Sequence, residues 1–153
     1  MLASVNTLVL TGIEASTVRV EVDIHTGLPA FEIVGLASTA IKEARERVRA
    51  AIKNSGFKFP NQKITVNLAP ADLKKEGSHF DLAIALGIIL ASEQVETRIK
   101  STYFLAGELS LNGDVKAVPG ILPMVLELAQ NYPQAEFIIS TENKNEAALV
   151  PEI

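Results

Sequence analysis

The first two segments of the chain alternate between apolar and polar residues, with the period of two that a strand with one buried face requires. Residues 2–11 and 15–24 both follow this pattern, and it is clearest over residues 18–24, where valine and isoleucine alternate with charged residues. Gly12 begins a turn between the two segments, so we predict an antiparallel hairpin. A third, shorter strand is predicted over residues 31–34.

Three later segments have the spacing of helices. In residues 40–54 apolar side chains recur every three or four positions, while charged side chains cover the opposite face. Residues 79–92 are apolar nearly all round, which predicts a central, buried helix. Ser78, with Asp81 three positions later, resembles a capping box at the start of that helix. A third helix is predicted over residues 122–130.

The remaining elements are short. We predict strands over residues 63–68, 103–106, 109–111 and 137–140. A short helix is predicted over residues 143–149. Hairpin-linked strands followed by strands joined through helices indicate an α+β fold, an α/β sandwich of one mixed sheet with helices packed on it. We assign residues 1–153 to a single domain, since this is the length of one ordinary domain. Residues 150–153 lack tail-like composition, so we expect the chain to be part of a longer protein.

The composition is that of a globular domain, with 48% apolar and 21% charged residues. The formal net charge is -4, so the domain as a whole has no positive field that would concentrate nucleic acid on it. Two local basic groups are candidate contacts for DNA or a partner. They are Lys74 with Lys75, before the central helix, and Arg45 with Arg49, on the charged face of the first helix. The alternative for both groups is a solvated surface.

Several kinds of site are disfavoured by the residue types present. Cysteine is absent, and His25, His79 and Asp81 do not complete a tight metal site, so we predict no metal and no cofactor in this chain. None of the nine glycines is followed by lysine, which excludes a P-loop. The longest apolar run, residues 82–91, is about half of what crosses a bilayer, and residues 1–6 do not resemble a signal peptide. We therefore expect no membrane partner and a cytoplasmic location.

Four blocks of the sequence resemble the ComM/YifB family. The first is His-Thr-Gly-Leu-Pro-Ala-Phe-Glu-Ile-Val-Gly-Leu at residues 25–36, and residues 45–51 and 54–60 continue the match. The strongest block, residues 66–82, contains Val-Asn-Leu-Ala-Pro-Ala-Asp-Leu-Lys-Lys-Glu-Gly-Ser-His-Phe-Asp-Leu. The resemblance implies an N-terminal, non-ATPase domain placed ahead of a magnesium-chelatase-like AAA+ module. ATP and magnesium are expected in that module, which is absent from this chain.

Residues 105–115 resemble a second family, the Lon peptidases. The segment is similar to Gly-Glu-Ile-Thr-Leu-x-Gly-x-Val of Lon, and it implies a Lon peptidase-like domain of the ribosomal-protein-S5-domain-2-like type. In that family a serine after Asp-Gly-Pro is activated by a later lysine. Alignment of Glu-Gly-Ser-His at residues 76–79 puts His79 at the serine position, and gapless alignment of the second segment puts Leu122 at the lysine position. His79 and Leu122 are therefore degenerate dyad positions, and neither can supply the dyad chemistry.

Together the resemblances imply a non-catalytic accessory domain of a ComM/YifB-type AAA+ ATPase, a DNA branch-migration motor in recombination and natural transformation. Its expected partners are its own AAA+ domain, further copies in a homo-hexamer, and DNA through the full-length assembly. The alternative is a degenerate or unconventional serine hydrolase that retains Ser78 beside His79. Neighbours in the first turn of a helix point in different directions, which favours a capping role for Ser78.

Overall fold

The structure is a computed structural model that describes residues 1–150, so our interpretation of the ending at residues 151–153 lies outside the described residues. The strands are β1 (Leu2–Thr11), β2 (Glu14–His25), β3 (Ala30–Val34), β4 (Lys63–Ala69), β5 (Tyr103–Leu105), β6 (Glu108–Leu109), β7 (Val115–Lys116) and β8 (Glu136–Ile138). The helices are α1 (Thr39–Lys42), α2 (Ala44–Asn54), α3 (Asp81–Ala91), α4 (Ile121–Asn131) and α5 (Lys144–Ala147), the last preceded by a 3-10 turn over Thr141–Asn143.

Six strands form one mixed sheet in the order β3-β4-β2-β1-β5-β8. The pairs β1–β2 and β2–β4 are antiparallel, whereas β3–β4, β1–β5 and β5–β8 are parallel. The strands β6 and β7 form a separate antiparallel ribbon. The predicted α+β architecture, a mixed sheet with helices packed on it, is confirmed.

The predicted hairpin at the start of the chain is the centre of this sheet. In β2, Val18, Val20, Val22 and Ile24 are all buried, as the alternation predicts, because these positions share one face. That face is covered by α3, which approaches β2 closely at a glycine. A Cβ atom placed on Gly87 would lie 2.6 Å from Cγ2 of Val22, so this helix rests directly on the sheet.

The helix α3 is the central element predicted from its composition. Every residue from Asp81 to Ala91 is buried or half-buried, and Ile84 and Ile88 are completely buried. The helix packs against both strands of the hairpin and against α2. A helix without a polar face has to be enclosed on all sides, which is the position α3 takes.

A second helical layer covers part of the opposite face of the sheet. Adjacent residues of β1 point to opposite faces, and Val9 belongs to the core under α3 while Leu8 belongs to a separate apolar cluster. That second cluster is formed with α4, through buried residues including Ile121, Met124 and Leu128. The fold therefore has two hydrophobic cores, one on each side of β1.

The helix predicted over residues 40–54 is interrupted at Glu43, which separates α1 from α2. Ser38 caps α1, since its hydroxyl accepts a hydrogen bond from the N–H of Ile41 at 3.2 Å. At the interruption the carbonyl of Lys42 accepts a bond of 3.0 Å from the side chain of Arg45. At this point the carbonyl of Lys42 is therefore bonded by the side chain of Arg45.

The predicted range of the strand over residues 109–111 is wrong. The strand β6 ends at Leu109 because the next residues form a tight turn, in which Ser110 N–H donates to the carbonyl of Asp114 at 3.0 Å. The returning strand β7 has no sequence prediction of its own, being two residues long. Among residues 1–150 no helix is long and apolar enough to cross a membrane.

Candidate functional site

His79, at the position where the Lon alignment expects a nucleophile, is buried just before α3. Its side chain is 6% exposed, and its ring lies 4.3 Å from the ring of Phe80, measured between centroids. Nε2 lies 2.6 Å from the carbonyl oxygen of Leu8, an acceptor, so this nitrogen carries the hydrogen. Burial lowers the pKa of His79, although the bond to Leu8 opposes this. The imidazole is therefore held neutral and fully oriented.

Backbone hydrogen bonds join the two Lon-like segments at this point. The N–H of Gly107 donates to the carbonyl of His79 at 3.0 Å, and the N–H of Leu82 donates to the carbonyl of Gly107 at 3.1 Å. A Cβ on Gly77 would lie 2.7 Å from Nδ1 of His79, so the glycine leaves room for the ring. The segment around residue 107 and the start of α3 thus form one rigid unit.

The capping box predicted for Ser78 and Asp81 is wrong. The helix α3 has Phe80 as its N-cap and receives no side-chain cap. Within residues 1–150, Ser78 contributes its backbone carbonyl, which accepts from Asp81 N–H at 3.3 Å, while its hydroxyl makes no hydrogen bond. The carboxylate of Asp81 is bound elsewhere, which explains the failure of the local pattern.

Asp81 forms the shortest ion pair of the described residues with Arg47 on α2. Nε of Arg47 lies 2.7 Å from Oδ2 and the second guanidinium nitrogen lies 3.1 Å from Oδ1, a bidentate arrangement. Oδ2 also accepts from the N–H of Leu109 at 3.1 Å. The hydrogen bond to Asp81 raises the pKa of Arg47, while burial raises the pKa of Asp81 against the effect of Arg47.

Leu122, at the position expected for the catalytic lysine, is the second residue of α4. Its N–H donates to a carboxylate oxygen of Glu146 at 3.2 Å, and its side chain packs half-buried against the second apolar cluster. Leu8 connects the two dyad positions indirectly, because its carbonyl binds His79 and its side chain belongs to that same cluster. Because the two positions are those of a catalytic dyad in Lon, the resemblance also predicts that His79 and Leu122 lie close together, and this stays a prediction.

Lys75 is the main correction to the predicted surface contacts. Its side chain is 0% exposed, and its ammonium donates to the carbonyls of Gly35, at 2.7 Å, and Pro70. Its N–H donates to the carbonyl of Leu36 at 3.0 Å. Burial lowers the pKa of Lys75, and the negative charge of Asp72 opposes this. Lys75 therefore joins the loop after β3 to the loop after β4, and its ammonium is enclosed by the protein rather than presented at the surface.

The shape of this junction depends on a glycine. Gly35 has φ of +102°, and a Cβ on it would collide with the backbone of Leu68 in β4. Lys74, in contrast to its neighbour, is 71% exposed and pairs with Glu76 at 3.0 Å. Of the predicted lysine pair, Lys74 alone stays a candidate surface contact.

The two predicted arginines lie together at one edge of α2. Arg49 Cζ lies 5.1 Å from the centroid of the Phe59 ring, and a guanidinium nitrogen is 3.6 Å from a carboxylate oxygen of Glu46. A guanidinium nitrogen of Arg45 donates to the carbonyl of Phe31 at 3.3 Å. Both arginines stay at the surface as predicted, next to an aromatic pair that the sequence pattern did not indicate.

The residues weighed for a metal site are not brought together. His25 is exposed at the end of β2, where Nδ1 lies 3.2 Å from Oδ2 of Asp23, whereas His79 and Asp81 are bound to Leu8 and Arg47. Within the described residues, no group of three histidine or acidic side chains is arranged to hold an ion.

Residues 20–143 match the sequence model of a family described as the ChlI subunit of Mg-chelatase. The chain is 46% identical over 149 residues to YifB of Salmonella typhimurium, which covers 97% of this chain and 29% of that protein. It is 45% identical over 139 residues to the competence protein ComM of Haemophilus influenzae, covering 91% of this chain and 27% of ComM. The chain belongs to the magnesium-chelatase-like family, and within it to the ComM/YifB type.

A more distant similarity supports the fold assignment. The chain is 30% identical over 125 residues to Lon protease 2 of Bacillus subtilis, covering 78% of this chain and 22% of the protease. With the mixed sheet and its packed helices, this similarity identifies a Lon-like fold. The chain spans less than a third of the length of the ComM and YifB relatives it matches.

Proposed function

We propose that this chain is a non-catalytic accessory domain of a ComM/YifB-type AAA+ ATPase, a DNA branch-migration motor in recombination and natural transformation. Its own AAA+ module binds ATP and magnesium, the parent protein forms a homo-hexamer, and this domain supports the ring or guides DNA. The protein acts in the cytoplasm. Membership in the family supports the association with an ATPase, and the similarity to a competence protein supports the role in transformation.

The observation that carries the non-catalytic assignment is the burial of His79. A nucleophile has to be reachable by substrate and activated by a base within hydrogen-bond distance. His79 is enclosed, neutral and bound to the carbonyl of Leu8, and the aligned lysine position holds Leu122. Fold alone does not establish activity, so a Lon-like fold without these groups supports a structural role.

The alternative, a degenerate serine hydrolase, is favoured by one feature. Ser78 is half-buried, and its hydroxyl makes no hydrogen bond within the described residues, so it is not committed to a cap. The nearest lysine in sequence, Lys75, uses its ammonium to bind the carbonyls of Gly35 and Pro70. A free hydroxyl without a base is a weak nucleophile.

A serine-reactive fluorophosphonate distinguishes these two functions. We expect no stoichiometric labelling of the chain and no cleavage of unfolded protein substrates. Labelling at Ser78 that Ser78→Ala abolishes, while Ser38→Ala does not, would establish the hydrolase instead. Titration calorimetry with ATP tests the chain's lack of a phosphate cradle, and we expect no micromolar affinity.

The motor assignment is tested on the longer gene product. We expect it to hydrolyse ATP and to move branched DNA, and to lose branch migration when residues 1–153 are deleted. ATP hydrolysis without any activity on branched DNA would contradict the motor assignment.

A further inference from the structure

A cleft of about 310 Å³ lies between α2 and the ends of β3 and β4. Arg49 and Lys53 line one side, while Phe31, Phe59 and Gln62 contribute to the rest of its wall. The rings of Phe31 and Phe59 form a tilted pair with centroids 5.5 Å apart. The cleft therefore combines positive charge with an aromatic wall.

The cations form a regular stripe. Arg45, Arg49 and Lys53 are spaced four residues apart on α2, so they lie on the same side of the helix and extend over about 12 Å. Within residues 1–150 no carboxylate pairs with Arg45 or Lys53, and Arg49 has a loose pair with Glu46 at 3.6 Å. These positive charges are therefore available to bind a linear polyanion.

The orientation of the arginines is fixed by the protein. Arg45 is held by bonds to the carbonyls of Lys42 and Phe31, at 3.0 and 3.3 Å, and Arg49 rests on the ring of Phe59. Arg45 uses two N–H groups in these contacts and Arg49 uses none in its contact with the ring, so both have further N–H groups for a ligand. A site whose cations are already positioned loses little side-chain entropy on binding.

The acidic residues next to the stripe do not block access of an anion to its cations. Glu46 is 80% exposed beside Arg49, and Glu43 lies exposed at the start of α2. On β3, Phe31 and Ile33 are buried on one face, so Glu32 points to the opposite face of the sheet. The negative net charge of the domain opposes anion binding and keeps it weak, but it does not cancel this local field.

We propose that this cleft and the neighbouring Arg45 bind a single strand of DNA, with successive phosphates on Arg45, Arg49 and Lys53 and a base at the edge of the half-buried ring of Phe59, whose face Arg49 covers. Single-strand sites combine a basic track with aromatic rings on which bases stack, and this combination distinguishes the ligand from an acidic peptide. The choice of DNA as the ligand rests on the proposed function. Binding is independent of sequence, since the cleft has no array of groups arranged for base edges.

Fluorescence anisotropy with a labelled oligothymidylate of about 12 nucleotides tests the proposal on the whole 153-residue chain. The variant Arg49→Glu with Lys53→Glu is compared with the control Arg98→Glu with Lys144→Glu, two exposed residues outside the cleft, which changes the formal charge by the same amount. We expect the cleft variant to bind at least about fivefold more weakly than the control, and its slope of log K against log salt to fall by about 1.4, or about 0.7 for each lost phosphate contact. Equal weakening of both variants, or no binding by the native chain at about 50 mM salt, would overturn the proposal.

The aromatic contribution has its own comparison, which does not alter charge. Phe59→Leu is expected to weaken binding with an unchanged salt slope, whereas Phe57→Leu, in a different apolar pocket, is expected to bind as the native chain does. Equal affinity of the two variants would remove the stacking contact from the proposal. Polyglutamate and unlabelled oligothymidylate are then compared as competitors at the same concentration of charge. Equally effective competition by polyglutamate would overturn the assignment to DNA.

This inference and the motor function fail in different ways. If the longer gene product moves branched DNA equally well with Arg49→Glu and Lys53→Glu, and the chain does not bind single strands, the cleft is wrong and the motor stands. If the chain binds single strands through the cleft but the gene product has no activity on branched DNA, the motor is wrong and the cleft stands.

Discussion

Arg47 on α2 holds the completely buried carboxylate of Asp81, the first residue of α3, through two hydrogen bonds of 2.7 and 3.1 Å. The same carboxylate binds the N–H of Leu109 in β6. One acidic side chain therefore connects the two helices under the sheet with the segment that resembles Lon. Glycine, turn and helix patterns do not encode such a link, since its three members are separated along the chain.

Removal of Arg47 is expected to destabilise the protein because it leaves the Asp81 charge buried without its partner. For Arg47→Ala we expect a loss of about 2–4 kcal/mol in the free energy of unfolding, the range being lowered because Arg47 is partly exposed. Urea unfolding measures this value. Arg98→Ala, an exposed arginine in a loop, is the control and is expected to change stability by less than about 0.5 kcal/mol. A similar loss in both variants would show that the buried pair contributes nothing specific.

The neutral, buried state of His79 makes stability depend on pH. In the unfolded chain a histidine titrates near its ordinary pKa of about 6.5, whereas burial lowers the pKa of His79 in the fold. Below about pH 6.5 the unfolded state binds a proton that the folded state does not, so the free energy of unfolding falls by up to about 1.4 kcal/mol per pH unit until the folded pKa is reached. The contribution is complete above about pH 7.

Urea unfolding between about pH 7.5 and 5.5 tests this dependence. His79→Gln is expected to remove most of the slope in that range, since glutamine donates a hydrogen bond without titrating. His25→Gln, which replaces the exposed histidine, is expected to retain the slope. If His25→Gln removed the slope and His79→Gln retained it, the pH dependence would come from His25, and the prediction for His79 would be contradicted.

Lys75 and Lys74 are neighbours with opposite environments, so the same substitution is expected to have different effects. Lys75→Met leaves the carbonyls of Gly35 and Pro70 without their donor, and we expect a loss of about 1–3 kcal/mol in the free energy of unfolding. Removal of a buried charge offsets part of the cost. Lys74→Met is expected to be neutral within about 0.5 kcal/mol, as a surface change is. Equal effects in chemical denaturation would contradict the burial of Lys75.

The contact of Gly87 with Val22 is expected to make an alanine costly. Gly87→Ala gains about 1 kcal/mol in helix propensity, but its Cβ meets Val22 and the overpacking costs about 1–3 kcal/mol. Val22→Ala removes the obstructing methyl groups. The double variant is therefore expected to be more stable than the sum of the single effects predicts, by at least about 0.5 kcal/mol. Strict additivity in a double-mutant cycle would contradict the close contact.

The pattern of apolar and polar residues was sufficient to predict the elements whose burial follows one regular period along their length. The hairpin of β1 and β2 was predicted because its buried face recurs every second residue, and α3 because an all-apolar helix has to be central. The resemblance to Lon includes the segment around Gly107 and places His79 at the serine position, and backbone hydrogen bonds join these two parts of the chain.

The side chains that were misjudged are those whose partner comes from elsewhere in the chain. Lys75 looks like half of a basic surface pair, but its burial depends on carbonyls of two loops that meet only in the folded protein. Asp81 completes a capping pattern with Ser78, yet a guanidinium on another helix provides a stronger partner. Sequence spacing reports local geometry and carries no record of such tertiary partners.

The order of strands in the sheet divides the molecule into units that differ in how readily they open. The hairpin of β1 and β2 joins neighbouring segments through ten registered residue pairs, whereas β1 and β5 meet at a single registered pair, Asn6 with Phe104. Contacts across this seam, such as the bond from Asn6 to the carbonyl of Ser101, 95 residues away, close a long loop. In native-state hydrogen exchange, we therefore expect the amides of β5, β8 and α4 to exchange together in a subglobal opening while those of the hairpin and α3 stay protected.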